Sequence, residues 1–265
     1  MSVCFFAPYS SLSSEATTLY ALANYLETAG VPVTNVRCNG CLATCAKDIE
    51  TNWSRTISTC QTCMHEQNQI TQWGEFACDD LSPFVDPELV LKVREILCAC
   101  DDKQLRGFEY MGLPLFEIVA SVFESRFGSR DFSVSHPHQV AFLRRLYGSV
   151  LRMHVAWDAY LFAKEPELLL TTCSNDFFVM SALLAASQLQ VSAFALSFDE
   201  LEQAVVFSEV ASGKKTTIPV FFSDIYSVRP DVNTWPAELV SSIAGVAEFI
   251  GLSDLEATVS RAQAS

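Results

Sequence analysis

The sequence is poor in basic residues. It has 17 Lys and Arg against 31 Asp and Glu in 265 positions, which gives a formal net charge of −14 at pH 7. A protein whose main partner is nucleic acid needs many Lys and Arg side chains to neutralise the phosphates. The charge balance therefore argues against nucleic acid as the main partner.

The sequence also lacks an uninterrupted apolar run long enough to cross a bilayer. Its most hydrophobic stretch, residues 177–198, is interrupted by Ser and Gln side chains at positions 181, 187, 188, 190 and 192, and we interpret it as a buried helix followed by a strand. The first ten residues, MSVCFFAPYS, show no charged segment or cleavage site of the kind found in a signal peptide. We therefore expect a cytoplasmic protein with no transmembrane segment.

A glycine-rich G-x-G-x-x-G loop is missing as well, so the sequence has no dinucleotide-binding fingerprint. Half of the residues are apolar and 18% are charged, which is typical of a folded globular protein. Two strand–helix–strand patterns are present, one over residues 3–36 and one over residues 167–197. Units of this kind form parallel strands joined by right-handed crossovers.

These patterns predict an α/β fold, with a Rossmann-like parallel sheet and helices on both faces. We expect a single domain over residues 1–250, with a cysteine-rich metal knuckle inserted at 38–63 and a helical insertion at about 64–135. The polarity of residues 64–107 suggests helices there, and residues 204–222 suggest a hairpin around Ser212, Gly213 and Lys214. A terminal helix over 235–250 and a polar tail over 251–265 complete the prediction.

Five of the ten cysteines lie within 26 positions, spaced C-x2-C-x3-C-x14-C-x2-C between Cys38 and Cys63. A pair of thiols two residues apart can be aimed at one ion by a single turn, and four thiolates make the usual closed zinc site. Five thiols for four places leave one spare, and the spacing does not say which. His65 is a possible substitute ligand.

Other readings of the cysteine cluster are an iron–sulfur cluster, a redox-active pair and disulfides. Disulfides require an oxidising compartment, which does not fit the expected cytoplasmic location. We interpret Cys4, Cys78, Cys98, Cys100 and Cys173 as ordinary small apolar residues.

A ligand site is predicted where the strands of the sheet end. Each of two turns follows a strand and opens a helix, whose unpaired N–H groups favour anionic or hydroxyl-rich ligands. A helix over residues 139–163 adds a basic patch at i, i+4 and i+7, suited to a phosphate; its alternative interpretation is a solvated helix face. The candidate ligand-binding residues are Ser10, Ser11, Arg145, Ser149, Arg152, Ser174 and Asn175.

The order of these features resembles the amino-terminal half of bacterial surface-polysaccharide (capsule and O-antigen) glycosyltransferase-like proteins of the GT-B type. Those proteins carry a C-x-G-x4-C element after a strand and a later C-x2-C, matched here by Cys38, Cys45, Cys60 and Cys63. The sequences at 112–115 (GLPL), 147–152 (YGSVLR) and 168–175 match as well. The resemblance implies a zinc site formed by these four cysteines, with Cys41 as the alternate thiol.

The resemblance further implies the acceptor-side domain of a glycosyltransferase that builds cell-surface polysaccharide in bacteria, peripheral to the inner membrane. Its partners would be a nucleotide-sugar, a glycan or lipid-linked acceptor, and a second Rossmann domain, separate or C-terminal. Nothing after residue 247 supplies that domain. Candidates for the catalytic base are Glu15, His154 and Asp176. The alternatives are a non-catalytic zinc-stapled binding or assembly module and an iron–sulfur or thiol redox protein.

Overall fold

The structure is a computed structural model of the chain. It describes residues 2–8, 14–42, 45, 57–172, 176–199, 201–219, 232 and 235–252. The predicted loop residues Ser10, Ser11, Ser174 and Asn175, together with Cys173 and the tail after residue 252, lie outside the described residues.

A seven-stranded sheet forms the centre of the molecule. Its strands are β1 (Val3–Phe6), β2 (Val33–Arg37), β3 (Ala77–Asp80), β6 (Leu168–Thr172), β7 (Ser192–Asp199), β8 (Ala204–Glu209) and β9 (Lys215–Pro219). They lie in the order β3-β2-β1-β6-β7-β8-β9, and the first five strands of this order run parallel. Both predicted strand–helix–strand units therefore lie in one sheet, and the predicted α/β fold is confirmed.

Helices cover both faces of this sheet. They are α1 (Ser14–Thr28), α2 (Ile57–Gly74), α3 (Pro87–Ala99), α4 (Leu115–Phe127), α5 (Pro137–Lys164), α6 (Phe177–Gln188) and α7 (Ala237–Phe249). Short 3-10 turns occupy Ser82–Phe84 and Asp102–Gly107, and β4 (Glu109–Tyr110) pairs with β5 (Leu113–Pro114) in a small separate ribbon. No helix of the described residues is long and apolar enough to cross a membrane.

Side-chain alternation along the strands separates two cores. In β1, Cys4 and Phe6 point to the face covered by α3, α4, α5 and α6, whereas Val3 and Phe5 point to the face covered by α1 and α7. All five residues of β6 are buried, as expected for a strand at the centre of a parallel sheet with helices on both sides. The sheet therefore provides a rigid support for the loops and helix ends at its edges.

The helical interpretation of residues 64–107 missed β3. This strand reads ACDD, is only four residues long, and pairs in parallel with β2. It forms the edge of the sheet and its residues are exposed or half-buried, so it carries none of the apolar pattern from which a strand is recognised.

The predicted hairpin is present. Strands β8 and β9 pair antiparallel, and β8 also pairs antiparallel with β7, so the hairpin extends the parallel sheet on the side away from β2. Gly213 has a φ of 69° in the connection, a conformation that glycine adopts without strain.

Candidate functional site

The strand order reverses between β1 and β6. From β1 the chain crosses through α1 to β2 on one side, and from β6 it crosses through α6 to β7 on the other side. Phe6 pairs with Thr171 at the carboxyl ends of the two strands, while α1 and α6 pack on opposite faces. Open α/β sheets bind ligands at such a switch point, in the crevice outside the carboxyl ends of the strands.

Both predicted ligand-binding turns leave this switch point, because one follows β1 and the other follows β6. Of the residues that flank them, Glu15 is half-buried in the first turn of α1. Asp176 caps α6, since its carboxylate accepts a hydrogen bond of 2.7 Å from the backbone N–H of Phe178. This bond gives the Asp176 carboxylate a structural role at the start of the helix.

Helix α5 brings the predicted basic patch to the same end of the sheet. Trp157 packs edge-on against Phe6, the last residue of β1, with ring centroids 5.0 Å apart. Because α5 then leads to the first residue of β6 at the opposite edge, the residues before Trp157 extend past the carboxyl ends of the strands. Arg152 and Arg145 lie on this projecting half.

The three residues of the patch differ in exposure. Arg145 is exposed, Arg152 is half-buried and Ser149 is fully buried. The Nε atom of Arg152 is buried and has no hydrogen-bond partner within the described structure. Ser149 is therefore not part of a solvated helix face, whereas Arg145 is exposed to solvent and Arg152 is partly so.

His154 lies inside the core between α5 and α6. It is completely buried, and its Nδ1 is 3.4 Å from the carbonyl oxygen of Ser181. Burial lowers the pKa of the imidazole below its ordinary value, although the carbonyl of Ser181 opposes this shift. The residue is therefore a neutral part of the interface between two helices, without access to a ligand in the crevice.

The cysteine-rich segment begins immediately after β2, at the same edge of the sheet. Cys38, Asn39, Gly40 and Cys41 form a tight turn, in which the N–H of Cys41 donates to the carbonyl of Cys38 at 3.2 Å. The two Sγ atoms are 3.6 Å apart. The spacing of these cysteines thus produces the side-by-side thiols that it predicts.

A polar network holds this turn against β3. Arg37 donates from Nε to Asp80 Oδ1 at 2.8 Å and forms an ion pair with the same oxygen through Nη2 at 2.7 Å. The side-chain amide of Asn39 donates to Asp80 Oδ2 at 2.8 Å, and Arg37 also donates to Asn68 of α2. Asp80 therefore links the turn to the sheet.

A cavity of about 210 Å³ lies between the turn and α2. Its lining residues are Arg37, Asn39, Met64, Gln67 and Asn68. The Sγ of Cys60 is 4.0 Å from the Sδ of Met64, so this thiol lies close to the wall of the cavity. Asn39 of the turn and Met64 of α2 thus line the same cavity, each close to one half of the cysteine cluster.

The predicted metal ligands do not share one location among the described residues. Cys38, Cys41 and Cys45 pack against the core on the α5 side of the sheet. Cys63 lies near Tyr20 of α1, where burial first and then the charge of Cys63 raise the pKa of the phenol. His65 is exposed on α2. In the described ranges, which omit 43–44 and 46–56, no three Cys, His, Asp or Glu side chains are gathered around one point.

Of the remaining described cysteines, Cys4 is buried, Cys78 and Cys100 are half-buried and Cys98 is exposed. Burial raises the pKa of the Cys4 thiol, and burial is also the main cause of the raised pKa of Cys78. Both thiols are therefore protonated at neutral pH. Cys98 differs from the interpretation, because it is exposed on α3.

Sequence reasoning missed Arg37, Asn39 and Asp80 as parts of the site. Asp80 could have been found from the sequence only once β3 was recognised, because the acidic residues at 79–80 then mark the carboxyl end of that strand.

No family model matches the chain, and a comparison with curated proteins also finds no match.

Proposed function

We propose that this chain is the acceptor-side domain of a glycosyltransferase acting in cell-surface polysaccharide biosynthesis, and that it binds a phosphate-bearing acceptor at the switch point between β1 and β6. The observation that carries the proposal is the reversal of strand order at this point. It makes the carboxyl edge of the sheet the place where a ligand has room between two crossover helices.

Two helix N-termini support an anionic ligand. Helices α1 and α6 both begin at the carboxyl edge, one on each side of the crevice, and each directs backbone N–H groups and partial positive charge toward it. An acceptor phosphate has the charge that such a pair of helix ends favours.

Arg152 supports the same assignment. Its buried Nε lacks a hydrogen-bond partner in the described part of the chain, and an unsatisfied buried donor is destabilising unless something accepts from it. A phosphate oxygen would accept this hydrogen bond and complement the positive charge, with the planar geometry that arginine offers to phosphate. The exposed Arg145, on the same helix, adds charge at the entrance.

A zinc ion held by the cysteine cluster is part of the proposal. Tetrahedral Zn–S bonds of about 2.3 Å place neighbouring sulfurs about 3.8 Å apart. The separation of 3.6 Å between the sulfurs of Cys38 and Cys41 fits this geometry. When bound, zinc would hold the segment after β2 against α2, and its role would be structural and not catalytic.

The acceptor site is tested by titrating a short-chain polyprenyl phosphate into the wild-type protein and the Arg152→Ala variant. We expect the variant to bind about 10- to 150-fold more weakly, because a hydrogen bond to a charged group contributes about 1.5–3 kcal/mol. Lys215→Ala removes the same charge from β9, on the other flank of the sheet, and should leave affinity unchanged. Thermal melting of each variant separates loss of binding from loss of fold.

Equal affinities of the wild type and the Arg152→Ala variant would contradict the placement of the phosphate. Turnover of a nucleotide-sugar, measured with and without an added second Rossmann domain, tests the catalytic part. Binding without turnover under both conditions would favour the non-catalytic binding module.

A further inference from the structure

The turn between the first two cysteines of the cluster has a fixed shape. Asn39 and Gly40, its central residues, have φ angles of 43° and 72°. Positive φ at both central positions is the pattern of a type I′ turn, for which Asn-Gly is the strongest sequence preference. The chain therefore has the residues that this turn demands, and no rearrangement of the backbone is needed to form it.

The turn is also tied to the sheet. Asn39 donates its side-chain amide to Asp80, whose other carboxylate oxygen is held by Arg37 of β2. Arg37 and Asp80 occupy paired positions of β2 and β3. The turn is thus fixed to two strands through one carboxylate, and the directions of the flanking thiols are fixed with it.

The two thiols are placed as a chelating pair. Their Sγ atoms are in contact at 3.6 Å, and both residues are half-buried. Cys38 is the first residue of the turn and Cys41 is the last. A pre-organised pair does not have to lose side-chain freedom when it binds a metal, which favours binding. The spacing of the five cysteines does not show whether Cys38 pairs with Cys41 or with Cys45. The turn favours Cys41, because it fixes this thiol beside that of Cys38.

We propose that Cys41 is a metal ligand together with Cys38, and that Cys45 is the thiol left over. This inference rests on the proposed zinc site and changes its membership to Cys38, Cys41, Cys60 and Cys63. It departs from the resemblance, which makes Cys41 the alternate. The thiols lose their protons to solvent as they bind, because the thiolate is the ligand.

The second pair comes from α2. Cys60 and Cys63 are three residues apart on this helix and therefore lie on neighbouring positions of its surface. The Sγ of Cys60 is 4.0 Å from Met64, which lines the cavity of about 210 Å³, and Asn39 of the turn lines the same cavity. Coordination of one metal ion by both pairs would bring them together at this cavity.

Asp80 acts as a positioning residue for the pair. It touches neither sulfur, but it fixes the turn through Asn39. Residues that orient metal ligands from the next layer typically contribute about 10- to 100-fold to metal affinity. Asp80→Ala should weaken zinc binding by about this factor and leave the stoichiometry at one metal per chain.

The test is a titration of the full chain with zinc and with cobalt(II), whose sulfur-to-cobalt absorption grows with the number of thiolates bound. We expect one metal per chain and a four-thiolate spectrum for the wild type. Cys45→Ser should retain both. Cys41→Ser should bind more weakly than Asp80→Ala, with a weaker charge-transfer band.

A second measurement avoids substitutions that impair folding. The wild-type protein is alkylated with iodoacetamide in the presence and absence of zinc, and each cysteine is quantified by mass spectrometry. Zinc should slow the alkylation of Cys38 and Cys41 and leave the rate at Cys45 unchanged.

The outcomes separate the inference from the proposal on which it rests. Protection of Cys45 instead of Cys41, together with metal loss in Cys45→Ser only, would overturn the inference and keep the zinc site. A wild-type chain that binds neither metal, or that forms a disulfide between Cys38 and Cys41 and then takes up no zinc after reduction, would overturn both.

Discussion

A substitution at Gly74 tests how the end of α2 packs on the sheet, because Gly74 lies close to the ring of Phe76. A Cβ atom added at Gly74 would lie 2.1–2.6 Å from three atoms of the Phe76 ring. That ring is buried and packs edge-on against Phe5 of β1, with centroids 5.2 Å apart. To reach an ordinary contact distance the ring or the end of α2 would have to move by more than about 1 Å within a close-packed core.

We therefore expect Gly74→Ala to destabilise the protein. Overpacking of this kind costs about 1–3 kcal/mol, and the higher helix propensity of alanine offsets at most about 1 kcal/mol. Subtracting the full offset leaves a net loss of about 0–2 kcal/mol, which corresponds to a decrease in Tm of up to about 8 °C for a chain of this size. Differential scanning calorimetry and urea denaturation measure it directly.

Gly245→Ala is the matched control. Gly245 lies within α7, and an added Cβ meets nothing within 4 Å, so the same substitution should stabilise the protein by up to about 1 kcal/mol. Combining Gly74→Ala with Phe76→Leu should recover part of the loss, because the smaller side chain makes room. A Gly74→Ala protein as stable as the Gly245→Ala protein would refute the packing of α2 described here, because both gain helix propensity and only the first meets the Phe76 ring.

Two further predictions concern groups buried around α5. Tyr147 donates its hydroxyl to the carbonyl of Leu105 at 2.7 Å, so Tyr147→Phe should lower the free energy of unfolding by about 0.5–1.5 kcal/mol in urea denaturation; an unchanged midpoint would mean that the bond contributes nothing. Burial lowers the pKa of His154 in the folded protein, so the unfolded chain binds a proton at this imidazole more readily. The contribution of His154 to the free energy of unfolding should therefore be fully present above the unfolded pKa of about 6.5 and decrease as the pH falls below it. His154→Gln should show a smaller difference in urea midpoint between pH 7.5 and pH 5.5, and an equal difference in both proteins would contradict the assignment.

The sequence was sufficient for the centre of the fold because the central strands and helices carry strong patterns. The apolar run of β6 and the periodic face of α5 identified these elements to within two or three residues. The two strand–helix–strand units predicted one parallel sheet with both following turns at its carboxyl edge, and the structure adds that β1 and β6 are neighbours. Edge strand β3 escaped prediction because its exposure leaves it without an apolar pattern.

Parts of the site depended on tertiary contacts that no local pattern contains. Ser149 looked equivalent to Arg145 on a helical wheel, but the segments packed on α5 bury the serine and leave the arginine exposed. The role of Asp80 required knowing that β3 pairs with β2, which places its carboxylate beside Asn39. His154 looked like a candidate base, and only its contact with α6 shows that it is enclosed.

Hydrogen–deuterium exchange with the polyprenyl phosphate bound tests the position of the ligand site most directly. We expect slower exchange in peptides covering residues 7–15 and 172–178, which leave β1 and β6 at the switch point, and in the peptide that contains Arg152. Peptides of β8 and β9, on the far flank of the sheet, should exchange at the same rate with and without the ligand. Protection confined to the hairpin, or to the opposite edge of the sheet around residues 161–167, would contradict it.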